Sequence, residues 1–180
     1  RRRWTRSSAR SGPGSETMAT TWHAIRDAYV SAIVALAPTN LGGPGRTFRR
    51  CPPRYELRPW ALREKGSQVF RTFELVRRGD AVNAGHLASD EERIMEPVEL
   101  TVAYPVLPAD YGDEEIDDLE KLVRADAQQL KDTLFSPGNY RSGQSTQRVT
   151  ILALDRGDTN VWFQSIRLEL VYVVAQDLSF

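Results

Sequence analysis

The strongest constraint on this chain lies near its end. Val161-Trp-Phe-Gln-Ser-Ile-Arg-Leu-Glu-Leu-Val-Tyr-Val-Val174 reads as one strand, in which Ile166, Leu168, Leu170, Tyr172 and Val174 alternate with Arg167, Glu169 and Val171. A period of two puts the first set on a buried face and leaves the other at least partly wet. Just before it, Arg148-Val-Thr-Ile-Leu-Ala-Leu154 reads as a partner strand, and Asp155-Arg-Gly-Asp-Thr-Asn160 between them is a run of turn formers. The two make a hairpin, and the rest of the chain has to cover and extend it. A 14-residue last strand exceeds the usual length of about five or six. It is expected to overhang its own sheet and to offer the overhang to a neighbouring chain.

Ahead of the hairpin the signals alternate between helix and strand. Thr20 or Thr21 can cap a helix over 21–37, where Trp22, Ile25, Tyr29, Ala32/Ile33 and Leu36 recur at helical spacing and Pro38 stops the run. Asn40-Leu-Gly-Gly-Pro-Gly45 is a turn, and 46–50 is a short strand ended by Pro52-Pro53. Residues 56–65 hold a short helix with Pro59 inside it. Strands are predicted over 69–76, with Val69, Phe73 and Leu75 on one face, and over 98–104, ended by Pro105. A second long helix spans 113–134: Asp113 caps it, Glu114 and Glu115 suit the dipole, and Ile116, Leu119, Leu122/Val123, Ala127, Leu130 and Leu134 form its apolar stripe. The predicted fold is α+β: an antiparallel or mixed sheet, two amphipathic helices on one face, and a long C-terminal hairpin.

Two polar stretches, Arg77–Glu96 and Ser136–Gln147, read as loops too long to be simple connectors. Their candidate contact residues are Arg77, Arg78, Asp80, His86, Asp90 and Glu91 in the first, and Tyr140 and Arg141 in the second. Arg46, Arg49, Arg50 and Arg54 cluster in one short region, and Asp113, Glu114, Glu115, Asp117 and Asp118 in another. Eight acids fall between Asp110 and Asp126. The plain reading of both clusters is solvated surface. The functional reading is a pair of complementary subunit contacts, or, for the acids, a face that repels passing DNA.

Chemistry is harder to find. His23 and His86 lack a second ligand at helical spacing, so no metal site is expected. Cys51 is the single cysteine. It allows no internal disulfide, it fits a reducing compartment, and without a nearby histidine it is expected to be an unreactive thiol. Gly42-Gly-Pro-Gly-Arg46 lacks the Gly-Lys-Ser/Thr of a phosphate loop. Arg156-Gly-Asp158 matches an adhesion tripeptide, but Gly and Asp belong at a hairpin tip for backbone reasons. No apolar run approaches the roughly 18 residues of a membrane span.

Zero formal net charge over 180 residues hides a split: residues 1–17 carry five arginines and one acid. This leader has no apolar core of a secretory signal. Three readings stay open: a start placed too early, with Met18 the true start; a basic arm that touches nucleic acid; or a vector-derived remnant. In all three it adds nothing to the core, and 18–180 form one domain.

Thr21-Trp-His-Ala-Ile-Arg-Asp-Ala-Tyr29, Leu100-Thr-Val-Ala-Tyr-Pro105, Leu122-Val-Arg-Ala-Asp-Ala-Gln-Gln-Leu130 and the closing hairpin together carry a family likeness. Over about 18–180 the chain resembles the tail-terminator, or tail-completion, proteins of long-tailed bacteriophages, of the lambda minor tail protein U type. The resemblance implies a non-enzymatic virion subunit, assembled in the host cytoplasm. It would form a hexameric ring on the head-proximal end of the tail, stop tube growth and join the head. Its partners would be further copies of itself, the tail tube protein and a head–tail connector. DNA would pass without specific binding, and no cofactor is needed. Another neck protein one ring away is the near alternative. A small-molecule enzyme is the remote one, and it would need converging polar groups that the sequence does not supply.

Overall fold

The computed structural model describes residues 22–40, 47–88, 91–106, 115–135, 144–158 and 160–175. Among these residues three helices, α1 (Trp22–Ala35), α2 (Leu57–Glu64) and α3 (Glu115–Leu134), accompany seven strands: β1 (Arg49–Arg50), β2 (Thr72–Arg77), β3 (Val82–Ala88), β4 (Glu91–Pro105), β5 (Gln144–Ile151), β6 (Asp155–Asp158) and β7 (Val161–Ala175). They form one mixed sheet in the order β1-β2-β4-β7-β5, with β3 also on β4 and β6 also on β7. Only β1 on β2 is parallel; β2, β3, β5, β6 and the central β4–β7 ladder all pair antiparallel.

Two 15-residue strands are the axis of the molecule. β4 and β7 pair along their whole length, from Glu91 with Ala175 to Pro105 with Val161. This overturns the expected overhang, because β4 is as long as β7 and flanks it throughout. Each outer neighbour is one strand line broken once. β2 and β3 run in series along β4, separated by 78–81, where Gly79 takes φ +107°. β5 and β6 run in series along β7, separated by 152–154.

The expected loop over 77–96 is therefore mostly a hairpin. Its polar, glycine-bearing sequence hid the alternation, and two register shifts blur it further. The second expected loop ends early, since β5 starts at Gln144, while 136–143 lie outside the described residues. The strand placed at 46–50 shrinks to Arg49–Arg50. The strand placed from 69 begins at Thr72, after a 3₁₀ turn at Ser67–Val69.

Alternation along β4 and β7 sorts the core. Val98, Leu100, Val102 and Tyr104 lie opposite Leu168, Ile166, Gln164 and Trp162. This face receives Ile25, Tyr29 and Ile33 of α1 and Leu119, Leu122, Val123, Ala127, Leu130 and Leu134 of α3, all buried. Both long helices thus pack on one face, as their apolar stripes require. Among the described residues the other face is covered at one end, where Leu57 and Ala61 of α2 meet Ala103, Val161, Phe163, Cys51 and Val69. Val69 belongs to this smaller core and does not share a face with Phe73. Pro59 is tolerated because it sits in the first turn of α2, where its missing N–H would have no helical partner. The Leu57 N–H instead donates to Glu74 at 3.2 Å, and Lys65 closes the helix at φ +48°.

Candidate subunit interface

Among the described residues the basic cluster lies at one edge of the sheet, and the acidic one on α3. Arg49 and Arg50 are β1, the terminal strand beside β2. Arg54 follows in the turn after Pro52, and all three side chains are exposed. The Arg49 guanidinium donates to the carbonyls of Ser67 (3.4 Å) and Gln68 (3.2 Å), which fixes its direction without neutralising it. At the other edge, Arg156 of β6 pairs with Glu120 and stacks over Trp162 at 4.8 Å, which ties the start of α3 to that edge. Asp117 and Asp118, three and two residues before Glu120, are exposed. Glu115 opens α3. Arg46, Asp113 and Glu114 lie outside the described residues.

One row of strand partners joins the two edges: Arg49, Thr72, Ala103, Phe163 and Asp155. Opposite charge at opposite ends of a row is what a head-to-tail contact between identical subunits needs. Part of the negative charge is offset locally. Arg58 pairs with Asp155 at 2.7 Å, Lys121 with Asp118 at 3.0 Å, and Arg124 with Glu120. Asp126, counted with the acidic run on sequence, is removed from the surface altogether.

Asp126 faces the core with its side chain 0% exposed, and so does its partner Arg71. Arg71 Nε donates to Oδ2 at 2.6 Å and Nη2 to Oδ1 at 2.9 Å, a two-pronged contact. Tyr104 Oη donates to Oδ2 at 3.0 Å, and Arg71 Nη2 also reaches the Asn40 carbonyl. The rings of Phe70 and Phe48 lie 5.4 and 5.8 Å from the guanidinium. Arg71 holds φ +55°, a left-handed backbone that a residue other than glycine adopts at some cost. Burial raises the Asp126 pKa, and the Arg71 guanidinium and Tyr104 hydroxyl oppose that rise. The network pins α3, β2, β4 and the segment after α1 together.

A second buried acid, Glu96, has the same origin. It shares the inward parity of Val98 and Leu100, is 0% exposed, and pairs with Arg77. Tyr172 Oη donates to its other oxygen at 2.8 Å, and the Arg77 guanidinium lies 5.3 Å from the Trp22 ring. Arg77 therefore ends β2, outside a loop, and its half-exposed side chain anchors Glu96. Arg78 donates to Glu99 at 3.1 Å on the opposite face. Asp80 is exposed in the break between β2 and β3. His86 is in β3 and Glu91 opens β4. Asp90, Tyr140 and Arg141 lie outside the described residues.

Sequence reasoning missed Arg71, Asp126 and Glu96 as buried ions, although the signal was present. Asp126 interrupts the stripe Leu119, Leu122/Val123, Ala127, Leu130, and Arg71 precedes Phe73 and Leu75 at period two. Among the described residues no three His, Cys, Asp or Glu side chains gather as a metal site. A polar groove of about 280 Å³ lies between α1, the 50–55 segment and β2, lined by Arg26, Arg50, Tyr55 and Glu74 among others. Burial, with a smaller push from Glu74, raises the Cys51 thiol to about 11, so the thiol beside this groove stays protonated and inert at neutral pH. No protein-family model and no curated protein matches this chain.

Proposed function

We propose that the chain is the subunit of a closed homomeric ring, and that the ring is the terminator at the head-proximal end of a bacteriophage tail tube. The observation that carries the ring is the row of strand partners with exposed Arg49 at one end and Asp155 at the other. A patch that complements a different patch on the same molecule gives a heterologous contact, and such contacts close into rings when the rotation allows. The terminator assignment adds the sequence resemblance, which implies six copies, a tube protein below and a connector above. The ring binds the last tube subunits, refuses the next, and leaves its centre open for DNA. The activity is stoichiometric binding and requires no cofactor.

The test has two readouts. Arg49→Glu/Arg50→Glu should reduce the mass measured by light scattering from ring to smaller species, and Asp117→Lys/Asp118→Lys should do the same. Mixing the two variants should recover larger species, because their reversed patches complement each other. Separately, the unmutated protein added to polymerising tube protein should stop elongation. Tubes that grow to unrestricted length in its presence reject the terminator reading, whatever the oligomeric state.

A further inference from the structure

The lane that β1 occupies beside β2 is filled for only part of its length. Arg78 N–H donates to the Pro97 carbonyl at 2.8 Å, so in this antiparallel ladder Glu74, Val76 and Arg78 turn their backbone groups to β4, and the odd-numbered residues turn theirs outward. The Arg71 and Phe73 carbonyls accordingly accept from Arg49 N–H at 3.0 Å and Cys51 N–H at 2.7 Å. Leu75 is the next outward residue, and β1 does not reach it, since the parallel register ends at Phe73. Pro52 begins a turn closed by Tyr55 N–H on its carbonyl at 3.0 Å, which takes the chain out of the lane. Among the described residues the outward N–H and C=O of Leu75 therefore have no strand partner. The groove of about 280 Å³ lies here, with Glu74 and Leu75 of β2, Arg50 and Tyr55, and Arg26 and Val30 of α1 in its lining.

We infer that this groove is a strand-addition site, and that its occupant is an extended acidic segment of another protein. An open sheet edge accepts a peptide through main-chain hydrogen bonds, and the side chains beside it select the sequence. Charge selects acids here. Residues 49–55 carry three arginines and no acid, and among the described residues Arg50 and Arg54 make no ion pair. Arg26 pairs with its sequence neighbour Asp27 at 3.1 Å, where the Asp27 side chain is 61% exposed. A pair that open to water is worth little and yields to a better-placed carboxylate. Glu74 is the one acid of the lining, and its Oε2 accepts the Leu57 N–H at 3.2 Å, so its charge is held at the start of α2. The acids of a second copy do not suit the groove, because Asp117 and Asp118 are in a helix, whose backbone cannot pair with a sheet edge. The inference does not rest on the ring, since Arg26 and Leu75 are outside the row from Arg49 to Asp155.

The probe is a short, end-blocked, fluorescein-labelled peptide that alternates Glu and Val, followed by fluorescence polarisation against the full chain. It should bind, and its analogue with alternate backbone nitrogens methylated should bind at least about tenfold more weakly, because methylation removes the strand hydrogen bonds. A peptide alternating Lys and Val should also be weaker by at least about tenfold. Arg26→Glu, checked for folding by its melting transition, should weaken the acidic peptide at least about fivefold. A methylated peptide that binds as well as its parent, or an Arg26→Glu variant that binds the parent unchanged, overturns strand addition in this groove. So does an acidic peptide that shows no saturation up to about 1 mM. Native mass spectrometry with the acidic peptide in excess separates the occupants. A multimer that dissociates as the peptide saturates assigns the groove to a second copy and overturns the separate partner, while one that keeps its size with peptide bound supports it. A monomer that binds the peptide upholds the inference and refutes the ring, so the two fail separately.

Discussion

Removing one partner of the buried pair gives a sharp test of the fold. In Asp126→Ala the Arg71 guanidinium stays 0% exposed between Phe48 and Phe70, with the Asn40 carbonyl its remaining acceptor among those described above. Leaving a buried charge uncompensated costs about 3–5 kcal/mol. For a chain of this size that lowers Tm by roughly 6–20 °C. The reciprocal variant differs in kind. In Arg71→Met the carboxyl can accept a proton, so its folded pKa rises well above the unfolded value. Stability is then retained below the unfolded pKa of Asp and lost as pH rises through the folded one, so this variant suffers less at pH 5 than at pH 7. Arg71→Met/Asp126→Leu removes both charges, and its stability should return to within about 1–2 kcal/mol of the parent. Urea denaturation followed by circular dichroism at the two pH values reads all three. An Asp126→Ala cost below about 1 kcal/mol, or a double variant as poor as the worse single one, refutes a desolvated ion pair.

Leu170→Ala and Leu119→Ala, at 1% exposure each, should each cost about 2–5 kcal/mol in the same titration; a cost near zero would mean the β7 or α3 register is wrong. Gly79→Ala should cost about 1–3 kcal/mol for its backbone alone, since a Cβ at φ +107° meets only Pro97 Cγ at an ordinary 3.6 Å; a stabilised variant would contradict that conformation. Cys51, with its thiol raised to about 11, should alkylate at pH 8 at least about a hundred times more slowly than a free thiol. The same shift means that its contribution to stability is complete below pH 9 and is lost as pH rises through about 11. Rapid labelling of the native protein at pH 8 would show the thiol to be exposed.

The parts of this fold that were legible in the sequence are those where one face is buried and the other is wet. Ile166 to Tyr172 alternate because β7 packs α1 and α3 on one side, and Leu119 to Leu134 recur at helical spacing because α3 has one buried stripe. Periodicity failed where no such contrast exists. β3 has two irregularities in its register with β4, and they blur any alternation in the polar, glycine-bearing Val82-Asn-Ala-Gly-His-Leu-Ala88. Asp126 and Glu96 were read as surface because carboxylates usually are. Each is buried because an arginine distant in sequence meets it, at 55 and 19 residues' separation respectively, and no local window contains such a pairing. The short parallel strand β1 was placed within its segment but could not be oriented, because its partner is fixed only by the chain's path through α2.

Native mass spectrometry of the unmutated full chain tests the head-to-tail ring most directly. The account predicts one dominant closed species of six chains that stays the same size as protein concentration rises. A monomer at every concentration, or an open-ended series that lengthens with concentration, would contradict it.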